Sequence, residues 1–179
     1  MQREKFELNI EQIYLDAKLS GIEMQLEDEF FSFFKLLRDN YEFKLFLEDP
    51  RISAEYKMRC VKEMCPHGIS SDFLSTIFML IENGREELVE DISKGFTKRL
   101  SKEKDMMYGE VFTVVEMPQK MRAGLQKAME KIYHTRVVLR YSIDPQVLGG
   151  ICVRLVNGEA WDLSLKHKLE DLRATISVE

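Results

Sequence analysis

The sequence predicts an α+β fold, mainly α, with an N-terminal six-helix bundle over residues 1–105 and a small C-terminal β-α-β-β-α domain over residues 106–179. Two observations underlie this prediction. Apolar residues recur every three or four positions through the first part, which is the period of one face of an α-helix. The second part contains short runs of β-branched and aromatic residues bounded by proline, glycine and aspartate, which is typical of strands.

The first two helices are predicted over residues 6–19 and 23–38. Gly21 ends the first, because glycine accepts the left-handed conformation that terminates helices. The apolar face of the first helix comprises Phe6, Ile10, Ile13, Tyr14 and Ala17. The second helix carries a stripe of Leu26, Phe30, Phe33, Phe34 and Leu37, widened by Phe31. Core packing explains this stripe better than a groove for a partner does, since aromatic stripes normally turn inward.

Three more helices follow at short intervals. Residues 41–47 form a short helix, and Ser53 caps the next one. Ser70 or Ser71 caps the fifth helix, residues 73–82, which is apolar on more than one side. A helix of this kind either lies centrally in a bundle or offers a face to another chain.

The last helix of the bundle is predicted over residues 85–104, after a left-handed stop at Asn83-Gly84. Its apolar stripe consists of Leu88, Ile92, Phe96 and Leu100. The charged residues 102–105 suit either a link between the two domains or the end of this helix.

The second domain opens with a strand predicted over residues 108–115. Pro118 then takes the first turn of a helix, where its missing N–H is tolerated. That helix has one apolar stripe, made of Met121, Leu125, Ala128, Met129 and Ile132. A second strand, residues 137–143, stops at Asp144-Pro145, because proline fixes φ and lacks a donor.

Glycines organise the segment that follows. Gly149-Gly150 provides two positions without Cβ, which suits a strand bend, and residues 151–156 form the next strand. Asn157-Gly158 predicts a two-residue hairpin, because both positions tolerate positive φ.

The last predicted element is a helix. Trp161 lies before it in a short returning strand, and Asp162 or Ser164 caps it. Its apolar residues recur with the helical period and are Leu165, Leu169, Leu172 and Ile176.

Charge argues against nucleic acid as a partner. The net charge of −5 arises in the first part, where residues 1–105 hold 16 basic and 22 acidic residues, against 10 and 9 in the remainder. A phosphate backbone would be repelled by the first part and weakly attracted by the second. The sequence contains no run of about 18 apolar residues that predicts a membrane span. The first residues contain no signal-peptide h-region and are too acidic for a typical transit peptide, so we expect the chain to remain in the compartment where it is made.

Residues that carry chemistry are sparse. Cys60, Cys65 and His67 outline a partial metal site, but their spacing fits no common zinc motif and a fourth ligand is missing. The cysteines, three in number, fit no disulfide framework and suit a reducing compartment. Asp144 and Asp162 are better explained as a strand end and a helix cap than as a carboxylate pair. We therefore predict no catalytic, cofactor-binding or metal residue.

The order of motifs resembles the delta subunit family of F-type ATP synthases, called the oligomycin-sensitivity-conferring protein in mitochondria. The resemblance rests on the helix-ending proline and capped helix of residues 46–55 and on a set of motif residues: Asn83, Gly84, Arg85, Asp144, Pro145, Gly149, Gly150, Asp162 and Ser164. The resemblance implies a non-catalytic stator subunit without a cofactor. It also implies a peripheral place at the cytoplasmic face of a bacterial inner membrane, or at a plastid thylakoid, with membrane association only through the complex.

The resemblance further implies two partners. Residues 1–105 would bind N-terminal segments of the alpha subunits, and residues 106–179 would bind the peripheral-stalk b subunits. In the family the first and fifth helices form the alpha-binding surface. The corresponding apolar candidates in the fifth helix are Phe73, Leu74, Ile77, Phe78 and Ile81.

Two other functions stay open at this point. One is a two-domain adaptor of another complex, which would bind neither alpha nor b subunits. The other is a small thiol-dependent enzyme that uses Cys60, Cys65 or His67.

Overall fold

The computed structural model describes residues 2–65, 68–147 and 149–163, with side chains described from Ile10 onward. The chain divides into two compact units, Met1–Leu100 and Ser101–Glu179. The sequence predicts a domain boundary at residue 105. The protein is mainly helical with one small sheet, which confirms the predicted class in outline.

The helices of the first unit follow one another with short connections. In chain order they are α1 (Gln2–Ser20), α2 (Glu23–Asp39), α3 (Tyr41–Glu48), α4 (Ala54–Met64), α5 (Ser71–Glu82) and α6 (Val89–Lys104). Local chemistry sets their ends. Gly21 ends α1 with φ of +70°, and the Ser53 side chain accepts a hydrogen bond from the backbone N–H of Tyr56 at the start of α4.

The helix predicted from residue 85 begins differently. A 3₁₀ turn, Glu86–Leu88, precedes α6. Arg85 is not helical, with φ of −126°, because its N–H closes the end of α5 by donating to the Leu80 carbonyl. Charged residues 102–104 continue α6, and Asp105 follows with φ of +49°, so this run finishes the helix.

Aromatic rings fill the interior of the first unit, with α2 at its centre. The Phe30 ring lies 5.5 Å from the rings of both Phe73 on α5 and Phe96 on α6. Tyr14 on α1 packs on Phe96 at 5.7 Å. Phe34 is the exception in the predicted stripe: it is partly exposed, and the cationic groups of Arg38 and Lys94 lie over its ring.

The second unit contains a four-stranded sheet. Its elements are β1 (Met106–Thr113), α7 (Gln119–Tyr133), β2 (Arg136–Ile143), β3 (Ile151–Leu155) and β4 (Ala160–Asp162). The strand order is β2-β1-β3-β4: β1 and β2 are parallel and joined through α7, whereas the other two pairings are antiparallel. The observed order is thus β-α-β-β-β, because the short returning strand at Trp161 pairs with β3. The final helix predicted at 165–176 lies outside the described residues.

Aliphatic side chains form the core of the second unit, beneath α7. Val111, Val137 and Val153 come from three neighbouring strands, and Met129 comes from α7. The apolar stripe predicted on α7 is buried only in part. Leu125 and Met129 pack on the sheet, but Met121 is 60% exposed and Ile132 is 48% exposed. A helix packed on a sheet buries about one side of its surface, so the edge of a wide apolar stripe stays in solvent.

The hairpin between β3 and β4 also differs from its prediction. Gly158 takes a φ of +94°, but Asn157 does not take positive φ. The Asn157 side chain instead accepts a hydrogen bond from the backbone N–H of Glu159 at 3.0 Å. The connection is therefore a longer turn stabilised by an asparagine side chain rather than the two-residue type.

Candidate partner-binding surface

Side chains from other helices fix α5 at its beginning. The Ser70 hydroxyl accepts a hydrogen bond from the N–H of Phe73 at 3.2 Å, which caps the helix. Ser70 in turn donates through its backbone N–H to Glu29 of α2 at 2.9 Å, and through its hydroxyl to the same carboxylate at 2.5 Å. The start of α5 is thereby tied to α2.

The end of α5 is a glycine stop with two defined hydrogen bonds. Gly84 has φ of +60° and donates its N–H to the Ile81 carbonyl at 3.1 Å, while Arg85 donates to the Leu80 carbonyl at 2.9 Å. This is the Schellman arrangement, which satisfies carbonyls at a helix terminus. Asn83, Gly84 and Arg85 therefore have a structural role in this turn, and all three are exposed.

A buried ion pair lies just beyond that turn. Lys57 Nζ donates to Glu86 Oε1 at 2.6 Å, and both side chains are less than a tenth exposed. The pair joins α4 to the 3₁₀ turn after α5. Sequence reasoning missed it, because 29 positions separate the two residues and neither belongs to a recognisable motif.

The inner side of α5 takes three of the five predicted candidates into the core. Phe73, Ile77 and Ile81 are between 0% and 4% exposed. Leu74 and Phe78 remain partly exposed, and Met79, which the sequence analysis did not select, is 41% exposed. We call Leu74, Phe78 and Met79 the outer face of α5. Partner contact by any of the five residues stays a prediction, and the outer face is the apolar surface that α5 leaves at least partly exposed.

The motif residues of the second unit gather at one end of the sheet. Asp144 directly follows β2, donates its N–H to the Thr113 carbonyl at 2.8 Å, and accepts from the Gln146 N–H at 2.9 Å. Gly149 and Gly150 take φ of +90° and +80° just before β3. Asp162 ends β4, opposite Cys152 in the register. Pro145 lies in the turn after Asp144. These positions shape turns and strand ends.

The thiols lie apart from any cluster of metal ligands. Among the residues that the structure describes, no group of three histidine, cysteine, aspartate or glutamate side chains could hold a metal ion. Burial raises the pKa of the Cys65 thiol, and the negative charge of Glu29 raises it further. Because the thiolate is the nucleophile, this shift opposes nucleophilic chemistry at Cys65. His67 and Ser164 lie outside the described residues.

Membrane insertion is not indicated by the described helices. None of those between residues 2 and 133 combines the length and the apolar character needed to cross a bilayer.

Comparisons with known proteins agree with the sequence resemblance. The family model described as ATP synthase delta (OSCP) subunit matches residues 13–176. An ATP synthase subunit delta from Bdellovibrio bacteriovorus is 30% identical over 166 residues, covering 90% of this chain and 88% of the relative. Another, from Rubrobacter xylanophilus, is 29% identical over 147 residues, covering 82% of this chain and 81% of the relative.

A solved structure supports the fold. A chain of the cryo-EM structure of the Toxoplasma gondii mitochondrial ATP synthase hexamer aligns with a TM-score of 0.60 at 17% identity, covering 95% of this chain and 96% of that chain. The family model spans most of the sequence and both of its units. The chain therefore belongs to the ATP synthase delta (OSCP) subunit family, and is a non-catalytic stator subunit of the F-type ATP synthase.

Proposed function

We propose that the protein links the catalytic head to the peripheral stalk by binding a different partner with each unit. The first unit takes N-terminal segments of the alpha subunits through the outer face of α5. The second unit takes the peripheral-stalk b subunits. The linkage keeps the head from turning with the rotor, so that proton flow is coupled to ATP synthesis.

The outer face of α5 carries this proposal. Three apolar residues of α5 are buried in the core of the first unit: Phe73, Ile77 and Ile81. The same helix has further apolar surface that is at least partly exposed, formed by Leu74, Phe78 and Met79. An amphipathic helix of a partner binds such a surface with residues spaced by three or four positions. A stator also needs slow dissociation, and nanomolar binding corresponds to about 12 kcal/mol.

The location that we propose follows from the complex. The subunit is peripheral to the membrane and reaches it only through the other subunits. We place it at the cytoplasmic face of a bacterial inner membrane, with a plastid thylakoid as the alternative.

A calorimetric titration tests the proposal. The full chain is titrated with a synthetic peptide of the N-terminal segment of the same organism's alpha subunit. We expect saturable one-to-one binding that Leu74→Ser with Phe78→Ser weakens about tenfold or more, since two apolar contacts are lost. The matched control is Tyr41→Ser with Leu45→Ser, which removes one exposed aromatic and one exposed leucine from α3.

The outcomes separate the site from the partner. Equal weakening by the α3 control would show a general loss of surface apolarity and would contradict a site on α5. Failure of the wild-type chain to bind the peptide would contradict the alpha subunit as the partner.

A further inference from the structure

Helix α7 carries a pattern that the core of its unit does not use. A lysine directly precedes an apolar residue three times, with intervals of seven and then four positions, so that all three pairs fall on one side of the helix. The pairs are Lys120-Met121, Lys127-Ala128 and Lys131-Ile132, and all six side chains are exposed. We call them the lysine-edged strip.

The apolar half of the strip lies beside the packed side of α7. Leu125 and Met129 contact the core, whereas Met121 and Ile132 are about half exposed or more. Between them, a Cβ added at Gly124 would meet nothing within 4 Å. A second helix could therefore approach α7 closely at this point, as small residues permit at helix crossings.

The charged half of the strip is available for a partner. Within the part of the chain that the structure describes, Lys120, Lys127 and Lys131 form no ion pair. The acidic residue of this helix, Glu130, lies toward the other side, where it accepts hydrogen bonds from Gln126 and from the Val137 N–H, each at 3.4 Å. In a chain of net charge −5, this strip is locally basic. It attracts an acidic partner and repels a basic one.

We propose that the lysine-edged strip is the docking site for an acidic amphipathic α-helix. This proposal rests on the proposed function: the lysine-edged strip is the place where a stalk b subunit binds the second unit. The matching helix presents an apolar row next to a row of aspartate or glutamate, long enough to span the 11 steps from Lys120 to Lys131, about 17 Å at 1.5 Å per residue. A second copy of this chain does not fit, because a symmetric contact would set lysine against lysine.

The test measures binding of the full chain to a soluble segment of the same organism's b subunit. The triple variant Lys120→Glu, Lys127→Glu and Lys131→Glu should weaken binding about tenfold or more at low salt, since three favourable pairs become repulsive. The matched control is Lys62→Glu, Lys98→Glu and Lys102→Glu, which makes the same charge change at exposed lysines elsewhere. It should change binding less than about threefold, which reflects long-range charge alone.

A second variant blocks the approach without changing charge. The double variant Gly124→Gln with Ala128→Gln adds side chains at exposed positions of the free protein. Glutamine has a higher helix propensity than glycine and a slightly lower one than alanine, so we expect α7 to stay folded. We expect an unchanged far-UV spectrum and unchanged Trp161 fluorescence, with binding weakened about tenfold. Trp161 reports on the fold here because its indole N–H donates to the hydroxyl of Tyr133 at the end of α7.

Each outcome decides a separate point. If the wild-type chain binds the b segment and both variants bind it equally well, the assignment of the strip as the binding site is wrong, whereas the b subunit remains supported as the partner. If the wild-type chain does not bind the segment, the stalk partner fails, and this assignment of the strip fails with it. A last experiment measures binding of the wild-type chain and of the lysine variant to vesicles rich in phosphatidylglycerol. Binding to them that the lysine variant abolishes, without binding to the b segment, would identify a lipid surface as the occupant and overturn the proposal.

Discussion

Helices α5 and α7 both keep apolar surface outside the core of their own unit, but they differ in charge. Helix α5 contains two acidic residues and no lysine or arginine, and its outer face is Leu74, Phe78 and Met79. Helix α7 edges its exposed apolar row with three lysines. The difference teaches how one small chain could distinguish two partners: under the proposed function, the basic edge of α7 favours an acidic partner, whereas the outer face of α5 offers apolar contacts without lysine or arginine.

The two helices also differ in how they are held. Glu29 of α2 ties the start of α5, and the buried Lys57–Glu86 pair lies beyond its end. Helix α7 rests on the sheet through Leu125 and Met129, and its last residue is followed by His134 with φ of +52°. Long-range polar contacts therefore add to the buried apolar side chains that hold α5, whereas aliphatic packing on the sheet holds α7.

The largest expected effect separates the two sides of α5. Phe73→Ala should lower the free energy of unfolding by about 4–5 kcal/mol, because it empties a site packed against Phe30 and Phe33. Phe78→Ala, on the partly exposed side, should cost less than about 1.5 kcal/mol. Urea denaturation followed by far-UV circular dichroism measures both. Equal losses would contradict the division of α5 into an inner and an outer side.

The next effect tests the polar anchoring of α5. Lys57→Met should cost about 3–4 kcal/mol, because the Glu86 carboxylate is left buried without its cation. Adding Glu86→Leu should recover most of that loss, since no buried charge then remains. The same denaturation experiment applies. If Lys57→Met is as stable as the wild type, the Lys57–Glu86 pair does not help to hold α5.

A smaller, stabilising effect is expected on α7. Gly124→Ala should raise the free energy of unfolding by about 0.5–1 kcal/mol, because alanine has the higher helix propensity and its Cβ enters open space. Urea denaturation followed by Trp161 fluorescence checks this, since that indole bonds to Tyr133 on the same helix. Destabilisation would mean that the exposed side of α7 is more crowded than the structure shows.

The smallest effect concerns an exposed ion pair, as a contrast to the buried one. Hydrogen bonds from Arg51 lower the pKa of Asp49 to about 2 from its usual 3.8. The folded state thus favours the carboxylate, so the contribution to stability is present above pH 4 and is lost as the pH falls through 2. NMR titration should return the Asp49 pKa toward 3.8 in Arg51→Ala. An unchanged pKa in that variant would contradict Arg51 as the cause.

Sequence periodicity was sufficient to predict burial where the apolar stripe of a helix packs into the core of its unit. Four residues of the stripe predicted on α2, Leu26, Phe30, Phe33 and Leu37, are buried as expected, whereas Phe34 is partly exposed. Ser53 and Ser70 cap their helices. Such features depend on residues a few positions apart, so local propensity and spacing determine them.

Periodicity was insufficient where burial depends on the width of the sheet under a helix or on contacts between residues far apart in the sequence. It could not show that α7 buries Met129 but exposes Met121, because that depends on the width of the sheet beneath. It could not show the Lys57–Glu86 pair, or that Phe73 turns inward while Phe78 does not. The family resemblance supplied the role of the chain, and the structure narrows the candidate surface within α5.

Simultaneous binding of both partners tests most directly whether the chain links head and stalk. The full chain is saturated with the b-subunit segment and then titrated with the alpha-subunit peptide by calorimetry, with sedimentation to establish the mass of the complex. We expect a ternary complex in which the Kd for the alpha peptide is the same with and without the b segment, because the two surfaces belong to different units. Competition, seen as a Kd that rises with the concentration of the b segment, would contradict a chain that joins head to stalk.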